Sequence, residues 1–274
     1  MTQHTTISDG LRITYDDSGE GSPALVLIHG AFANRTHFVS QVEHLTPRHR
    51  VITLDIRGHG DSEAPTGPFG VQAAASDVIA VCDAAGVDRA VFCGHSWPVS
   101  LEVATRRPNL VAGVAMLDGA VLLPAPLRAE ILRDLVPVLE GPGWIPATQA
   151  FLVGRNFPFD APALKARISD EISNGPANLA AQMMRDCMST DWSEQIAVGT
   201  YPLLYVHGRI PLEIDRLRQL RPDALVGAIV GGGHYISLEV PEQVNAMLER
   251  FLELIDVEGA PASRTTQHVA GAVA

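Results

Sequence analysis

Short apolar runs of strand length alternate along this chain with helical spacings, and the alternation predicts an α/β fold built on a mostly parallel, doubly wound sheet. The stretch 122–191 interrupts that alternation with helical segments alone, which predicts a helical cap inserted into the core. At 274 residues, with no shift of composition along it, the chain has the length of one large domain. The expected division is a core in 1–121 and 192–257, the insertion in 122–191, and a small, polar, aperiodic tail in 258–274 that is expected to be disordered.

Leu11, Ile13 and Tyr15 alternate as one face of a first strand, and the Gly-, Ser- and acid-rich run 16–23 reads as a turn. Ala24–Ile28 is a buried strand leading into His29-Gly30-Ala31-Phe32. Phe38, Val42 and Leu45 then share a helix face, stopped by Pro47. Val51–Leu54 is the next strand, with a polar, glycine-punctuated loop from Asp55 to Ser62 beyond it. Val78, Ile79 and Cys82 mark a helix over 72–85 with Gly86 as its stop. The run 91–94 is a strand that reaches Ser96 almost at once, and a helix follows to the arginines at 106 and 107 and the stop at Pro108. Val111–Leu117 is another strand, with Asp118-Gly119 at its C-terminal end. In the insertion, helices are expected over 127–139, 145–153, 161–173 and 176–188, with breaks at Gly141-Pro142-Gly143 and Pro158. Trp144, Phe151, Phe157, Met183, Met184 and Met188 give these helices their apolar faces. The run 203–206 resumes the sheet, Ile214–Leu220 is a short helix, 225–230 the last strand and 242–255 the final helix.

Composition removes several function classes. The chain carries a net charge of −11 and Lys165 is its sole lysine, so it has no basic stripe and nucleic acid is not an expected partner. Hydrophobic residues make up 46% and charged residues 19%, yet no apolar run approaches the roughly 18 residues of a membrane span. The polar segment 1–10 lacks the features of a signal peptide, which makes the expected location cytoplasmic. Cys82, Cys93 and Cys187 are widely separated in apolar surroundings and read as buried, reduced thiols. No H-E-x-x-H or paired-cysteine spacing is present, so neither a metal nor another cofactor is expected. The expected partner is a small-molecule substrate, and a homodimer is left open.

Three residues at strand ends carry chemistry: Ser96, Asp118 and His234. A serine on a sharp turn from strand to helix is lifted above a parallel sheet, with a helix N-terminus behind it. Its hydroxyl is a poor nucleophile alone; His234 would accept its proton, and an acid would fix the imidazole tautomer and stabilise the charged ring. The run Gly231-Gly232-Gly233 lets the chain bend and deliver His234 over the rim. An oxyanion formed there needs donors, and the candidates are the backbone N–H groups of Trp97 and of Ala31 or Phe32. Phe32, Trp97, Trp144 and Phe151 are the candidate contacts for an apolar substrate. His29, His59 and His95 read as organisers of the loops around the site.

The chain resembles the α/β-hydrolase superfamily over 11–255. The resemblance is carried by His29-Gly30, the D-x-R-G-H-G-x-S loop from Asp55 to Ser62, Gly94-His95-Ser96-Trp97, Gly233-His234 with Val240-Pro241 after it, and the helical insertion. It implies the order Ser96, Asp118, His234 of a catalytic triad, and a serine esterase or lactonase acting on an ester or lactone of small to medium size. Many members place the acid after the next-to-last strand, where this chain has Glu213 and Asp215; Asp118, as in some lactonases and dehalogenases, is the preferred choice. Epoxide hydrolases and haloalkane dehalogenases carry aspartate where this chain has Ser96. The pattern G-x-S-x-G breaks at Pro98, and the elbow is about two residues short of the family's length. Two glycines between Trp97 and Pro98 would restore it, so either the chain departs from its relatives or two residues are missing from the sequence. Two further readings follow. One is a cofactor-independent dioxygenase of the 3-hydroxy-4-oxoquinoline type, which Asp118 and the spacing from Phe69 to Ser96 resemble. The other is a non-catalytic ligand-binding member, its elbow disturbed by Pro98.

Overall fold

The computed structural model describes residues 2–154, 161–175 and 179–259, with side chains as far as residue 255. Strands β1 (Thr2–Ser8), β2 (Leu11–Ser18), β3 (Ala24–Ile28), β4 (Val51–Leu54), β5 (Ala90–His95), β6 (Val111–Leu117), β7 (Leu203–His207) and β8 (Leu225–Ala228) form one sheet. Their order is β1-β2-β4-β3-β5-β6-β7-β8. The pairs from β4 through β8 are parallel, while β1 and β2 add an antiparallel hairpin at one edge. Parallel strands are covered on both faces, and every residue of β3, β4 and β5 is accordingly buried.

The two faces follow from the period-two alternation of side chains. Leu25, Leu27, Val91 and Cys93 point to the side covered by α1 (Val39–Leu45) and, at the chain's end, by α12 (Pro241–Gly259). Val244, Leu248, Phe251, Leu252 and Ile255 form the apolar stripe that α12 lays on it, each side chain adding about 1.5–3 kcal/mol when fully buried. Val26, Ile28, Phe92 and Val114 point to the other side, covered by α2 (Val71–Ala84) and α3 (Val99–Arg106).

Between β6 and β7 the chain is helical. Helix α4 (Ala125–Glu130) passes through a π turn (Ile131–Leu135) into α5 (Val136–Leu139), and α6 (Trp144–Gln149) ends in a second π turn (Ala150–Gly154). Helices α7 (Pro162–Ser173), α8 (Leu179–Ser189) and α9 (Ser193–Val198) follow; α10 (Ile214–Leu220) makes the crossover from β7 to β8, and α11 (Ile236–Glu239) lies between β8 and α12. Among the described residues, 122–191 contains no strand.

The structure departs from the sequence reading in a few places. Segment 1–10 includes β1, a solvated edge strand; its mostly exposed side chains leave no apolar periodicity to read, and Asp9-Gly10, both with positive φ, form the turn into β2. The first expected strand, 11–15, runs on to Ser18 because Tyr15 to Ser18 pair with β4. The last strand stops at Ala228 rather than 230, and α11 was not expected. Phe157, the break at Pro158 and the expected helix start at Pro176 lie outside the described residues, as does the expected tail beyond Gly259. Among the described residues no helix is long and apolar enough to cross a membrane.

Candidate active site

Strand β5 ends at His95, and Ser96 follows with φ +62°, a left-handed conformation that costs a non-glycine residue on the order of 1–3 kcal/mol. The turn is held on both sides: the Ser96 N–H donates to Leu117 O (3.0 Å) and its carbonyl accepts from the Ala120 N–H (2.8 Å). Gly30 packs directly beneath it, where a Cβ would stand 3.1 Å from the Ser96 Cβ and 2.9 Å from His95 Nδ1. Phe32 (+60°) and Asp118 (+48°) have positive φ at the same rim. Backbone strain of this kind collects where geometry serves a site rather than stability.

The imidazole of His234 bridges the other two polar groups. Its Nδ1 lies 2.7 Å from Asp118 Oδ2 and its Nε2 lies 3.0 Å from Ser96 Oγ. Because a carboxylate only accepts, Nδ1 carries the proton and Nε2 is left to accept from the serine hydroxyl. Asp118 is fully buried, and burial alone would raise its pKa. The hydrogen bond and charge of His234, with backbone donors from the loop after β7, hold it below the usual carboxylate range instead. Those donors are the N–H groups of Gly208 (2.8 Å) and Ile210 (3.0 Å). Glu239 accepts from the Gly233 N–H (2.8 Å) and fixes the loop before His234, while His95 Nε2 donates to the His234 carbonyl (2.8 Å) from below. Glu213 and Asp215, the alternative acids, instead pair with Arg216 and Arg218, and neither is hydrogen-bonded to His234.

The candidate oxyanion donors are less simple. The Trp97 N–H donates to His95 O (2.6 Å), folding the elbow back on itself, and Pro98 is the residue before α3. The Phe32 N–H donates to His59 Nε2 (3.1 Å). Only the Ala31 N–H of the three has no hydrogen-bond partner among the described residues. The histidines here organise backbone: His29 bonds Gly30 O and the Ile56 N–H, and His59 bonds Arg57 O as well as Phe32. The His29 and His59 rings each take one donor and give one, a pattern that suits only the neutral form, and burial lowers the pKa values to about 4 for His29 and about 3 for His59 and for His95. The D-x-R-G-H-G-x-S loop is likewise structural, with Asp55 taking the Arg35 guanidinium and Arg57 gripping Asp77.

A cavity of about 410 Å³ opens beside Ser96 and His234. Leu127, Ile131, Phe151, Met183, Met184 and Met188 supply most of its apolar wall, so both π turns and α8 border it. Of the four expected apolar contacts, Phe151 lines it. Phe32 and Trp144 instead stack on one another (6.0 Å, 22°) outside it, and Trp97 is buried against Phe69 (6.4 Å). The methionines read as helix packing in the sequence, because a helical spacing does not say whether a face meets another helix or an opening. Arg209, in the loop after β7, also lines the cavity and was not singled out; its place two residues beyond a strand end on the rim was the available signal. Cys82, Cys93 and Cys187 are free and buried, and among the described residues no cluster of His, Cys, Asp and Glu could hold a metal ion.

A family model of the alpha/beta hydrolase fold matches residues 23–205. The 2-(acetamidomethylene)succinate hydrolase of Mesorhizobium japonicum is 26% identical over 261 residues, 88% of this chain and 92% of the relative. The 3-oxoadipate enol-lactonase 2 of Acinetobacter baylyi is 24% identical over 262 residues, covering 91% and 96%. The 2-heptyl-3-hydroxy-4-quinolone dioxygenase AqdC2 of Rhodococcus erythropolis is 33% identical, but over 143 residues that cover 50% of this chain and 48% of the relative. Among solved structures, a thermophilic esterase from Thermogutta terrifontis superposes with a TM-score of 0.80 at 22% identity, covering 93% of this chain and 99% of that one.

Proposed function

Because the chain belongs to the alpha/beta-hydrolase fold family, we propose that it is a serine hydrolase, an esterase or lactonase whose substrate is a small-to-medium ester or lactone with an apolar or aromatic part. The observation that supports this most is the continuous hydrogen-bonded chain Asp118–His234–Ser96 opening onto an apolar cavity of a size typical for small ligands. In this reading Ser96 Oγ attacks the carbonyl carbon as its proton passes to His234 Nε2, and Asp118 stabilises the imidazolium. The oxyanion takes the Ala31 N–H, the alcohol leaves with the proton from His234, and water repeats the sequence on the acyl-enzyme. Relatives named as a hydrolase and an enol-lactonase are in keeping with it. The test is turnover of a p-nitrophenyl ester together with labelling by a fluorophosphonate. Wild type is expected to do both and Ser96→Ala neither; labelling that persists in the variant would sink the reading.

One observation favours a second reading. With the Trp97 N–H folded onto His95 O, the elbow lacks a donor that acyl transfer uses, whereas His234 is still placed to take a proton from a substrate hydroxyl. That is the step by which a 3-hydroxy-4-oxoquinoline would become an anion able to react with O₂, and a quinolone dioxygenase is among the relatives. O₂ uptake with release of carbon monoxide from such a quinolone, in the absence of ester turnover, would favour it. Failure of both assays, with ligand binding retained, would leave the non-catalytic reading.

A further inference from the structure

The wall of the cavity is apolar except at the rim, where Ser96 and His234 are joined by Arg209. No aspartate or glutamate among the described residues lines that space. Elsewhere in this acidic chain Arg35 pairs with Asp16, Arg57 with Asp77 and Arg221 with Asp223, while Arg128 donates to the Thr190 carbonyl. The guanidinium of Arg209, by contrast, makes no ion pair or hydrogen bond among the described residues. Its backbone is nevertheless fixed, because the N–H groups of the residues on either side, Gly208 and Ile210, both donate to Asp118. The same carboxylate that orients His234 therefore anchors the root of a cation beside it. At a net charge of −11 the molecule as a whole repels anions, which makes a single unpaired cation at the cavity mouth a selective feature rather than part of a general field.

We propose that Arg209 binds a carboxylate carried by the substrate close to its scissile ester, so that the preferred substrates are amphiphilic monoanions with the charged end at the loop after β7 and the apolar end beneath α4 and α8. The guanidinium offers paired donors in the geometry a carboxylate accepts. Its exposure keeps the pair partly in water, which limits the gain to about tenfold. This inference rests on the serine-hydrolase reading.

The test uses 4-nitro-3-(octanoyloxy)benzoic acid and its methyl ester, which differ in the charge beside the scissile ester. Wild type is expected to favour the acid in kcat/KM, through KM; Arg209→Gln is expected to reduce that preference about tenfold, and Arg209→Lys to keep part of it. An unchanged preference in Arg209→Gln, or an equal loss on both substrates, overturns the proposal. Should wild type hydrolyse neither, the hydrolase reading fails and calorimetric binding decides the role of Arg209. Tighter binding of 3-octyloxybenzoate than of its methyl ester, lost in Arg209→Gln, then upholds the anion site, and equal affinities overturn it.

Discussion

The relay side and the nucleophile side of the rim are held by different kinds of contact. Asp118 and His234, 116 residues apart, are fixed by bonds from a loop, a helix and a strand: Gly208 and Ile210 to Asp118, Glu239 of α11 to Gly233, His95 of β5 to the His234 carbonyl. On the other side, the peptide that carries the Trp97 N–H is held at its Ser96 carbonyl by the Ala120 N–H, and the Trp97 N–H itself closes on His95 O with Pro98 immediately after it. The contacts that hold Asp118 and His234 lie outside the elbow and do not depend on its length, whereas the N–H that closes on His95 O sits within it. The hydrogen-bonded chain Asp118–His234–Ser96 is therefore continuous, while of the three candidate donors only the Ala31 N–H has no partner among the described residues.

The relay side is tested hardest by Asp118→Asn, which keeps the shape and removes the charge. The amide offers the wrong partner to Nδ1 and favours the tautomer that cannot accept from Ser96, so kcat is expected to fall by about 10⁴ with KM little changed. A loss of only a few-fold would show that the long-range contacts hold a structural network and not a relay.

The nucleophile side is tested by lengthening it. Insertion of Gly-Gly between Trp97 and Pro98 is expected to free the Trp97 N–H from His95 O and raise kcat on an ester by about 10², the value of one oxyanion donor. Intact mass of the purified wild type should be read first, since it fixes the native length of that turn. No gain from the insertion would mean that the turn does not limit the site, and the contrast between the two sides would lose its functional meaning.

The same contrast governs what was legible in the sequence. Strands β3 to β7 announce themselves because burial on both faces demands continuous apolar runs; Ser96 and Asp118 are legible as candidates because each directly follows a strand, and His234 because a glycine run carries it beyond the last one. Strand β1 was invisible because an exposed edge carries no apolar period. The shortness of the elbow was legible as a count of residues, but its consequence, a Trp97 N–H turned to His95 O, is a matter of direction that composition and spacing do not encode. Trp144 and Phe32 illustrate the same limit: both are aromatic and near the rim, and which meets substrate depends on their finding one another first.

Acid separates the two sides by a smaller effect. His29 and His59 organise backbone on the nucleophile side and His95 stands between the two sides, bonded to the His234 carbonyl; burial lowers their pKa values to about 4, about 3 and about 3. In the unfolded chain each titrates near 6.5, so below that pH the unfolded state binds more protons and stability falls as pH falls, until the folded rings protonate. Each ring contributes at most about 1.4 kcal/mol per pH unit over that window. Asp118 has the opposite timing: its folded pKa lies below the usual carboxylate range, so its contribution persists until the pH drops below about 4. Urea unfolding at pH 7, 6 and 5 is therefore expected to show a decline set by the imidazoles while the Asp118–His234 contact is intact. His59→Gln should flatten that decline by about a third, one ring of the three. A stability independent of pH across this range, or a slope untouched by the substitution, would mean that these rings are not held neutral, and the nucleophile side would owe its geometry to something other than the bonds they make to the Gly30 and Phe32 backbone.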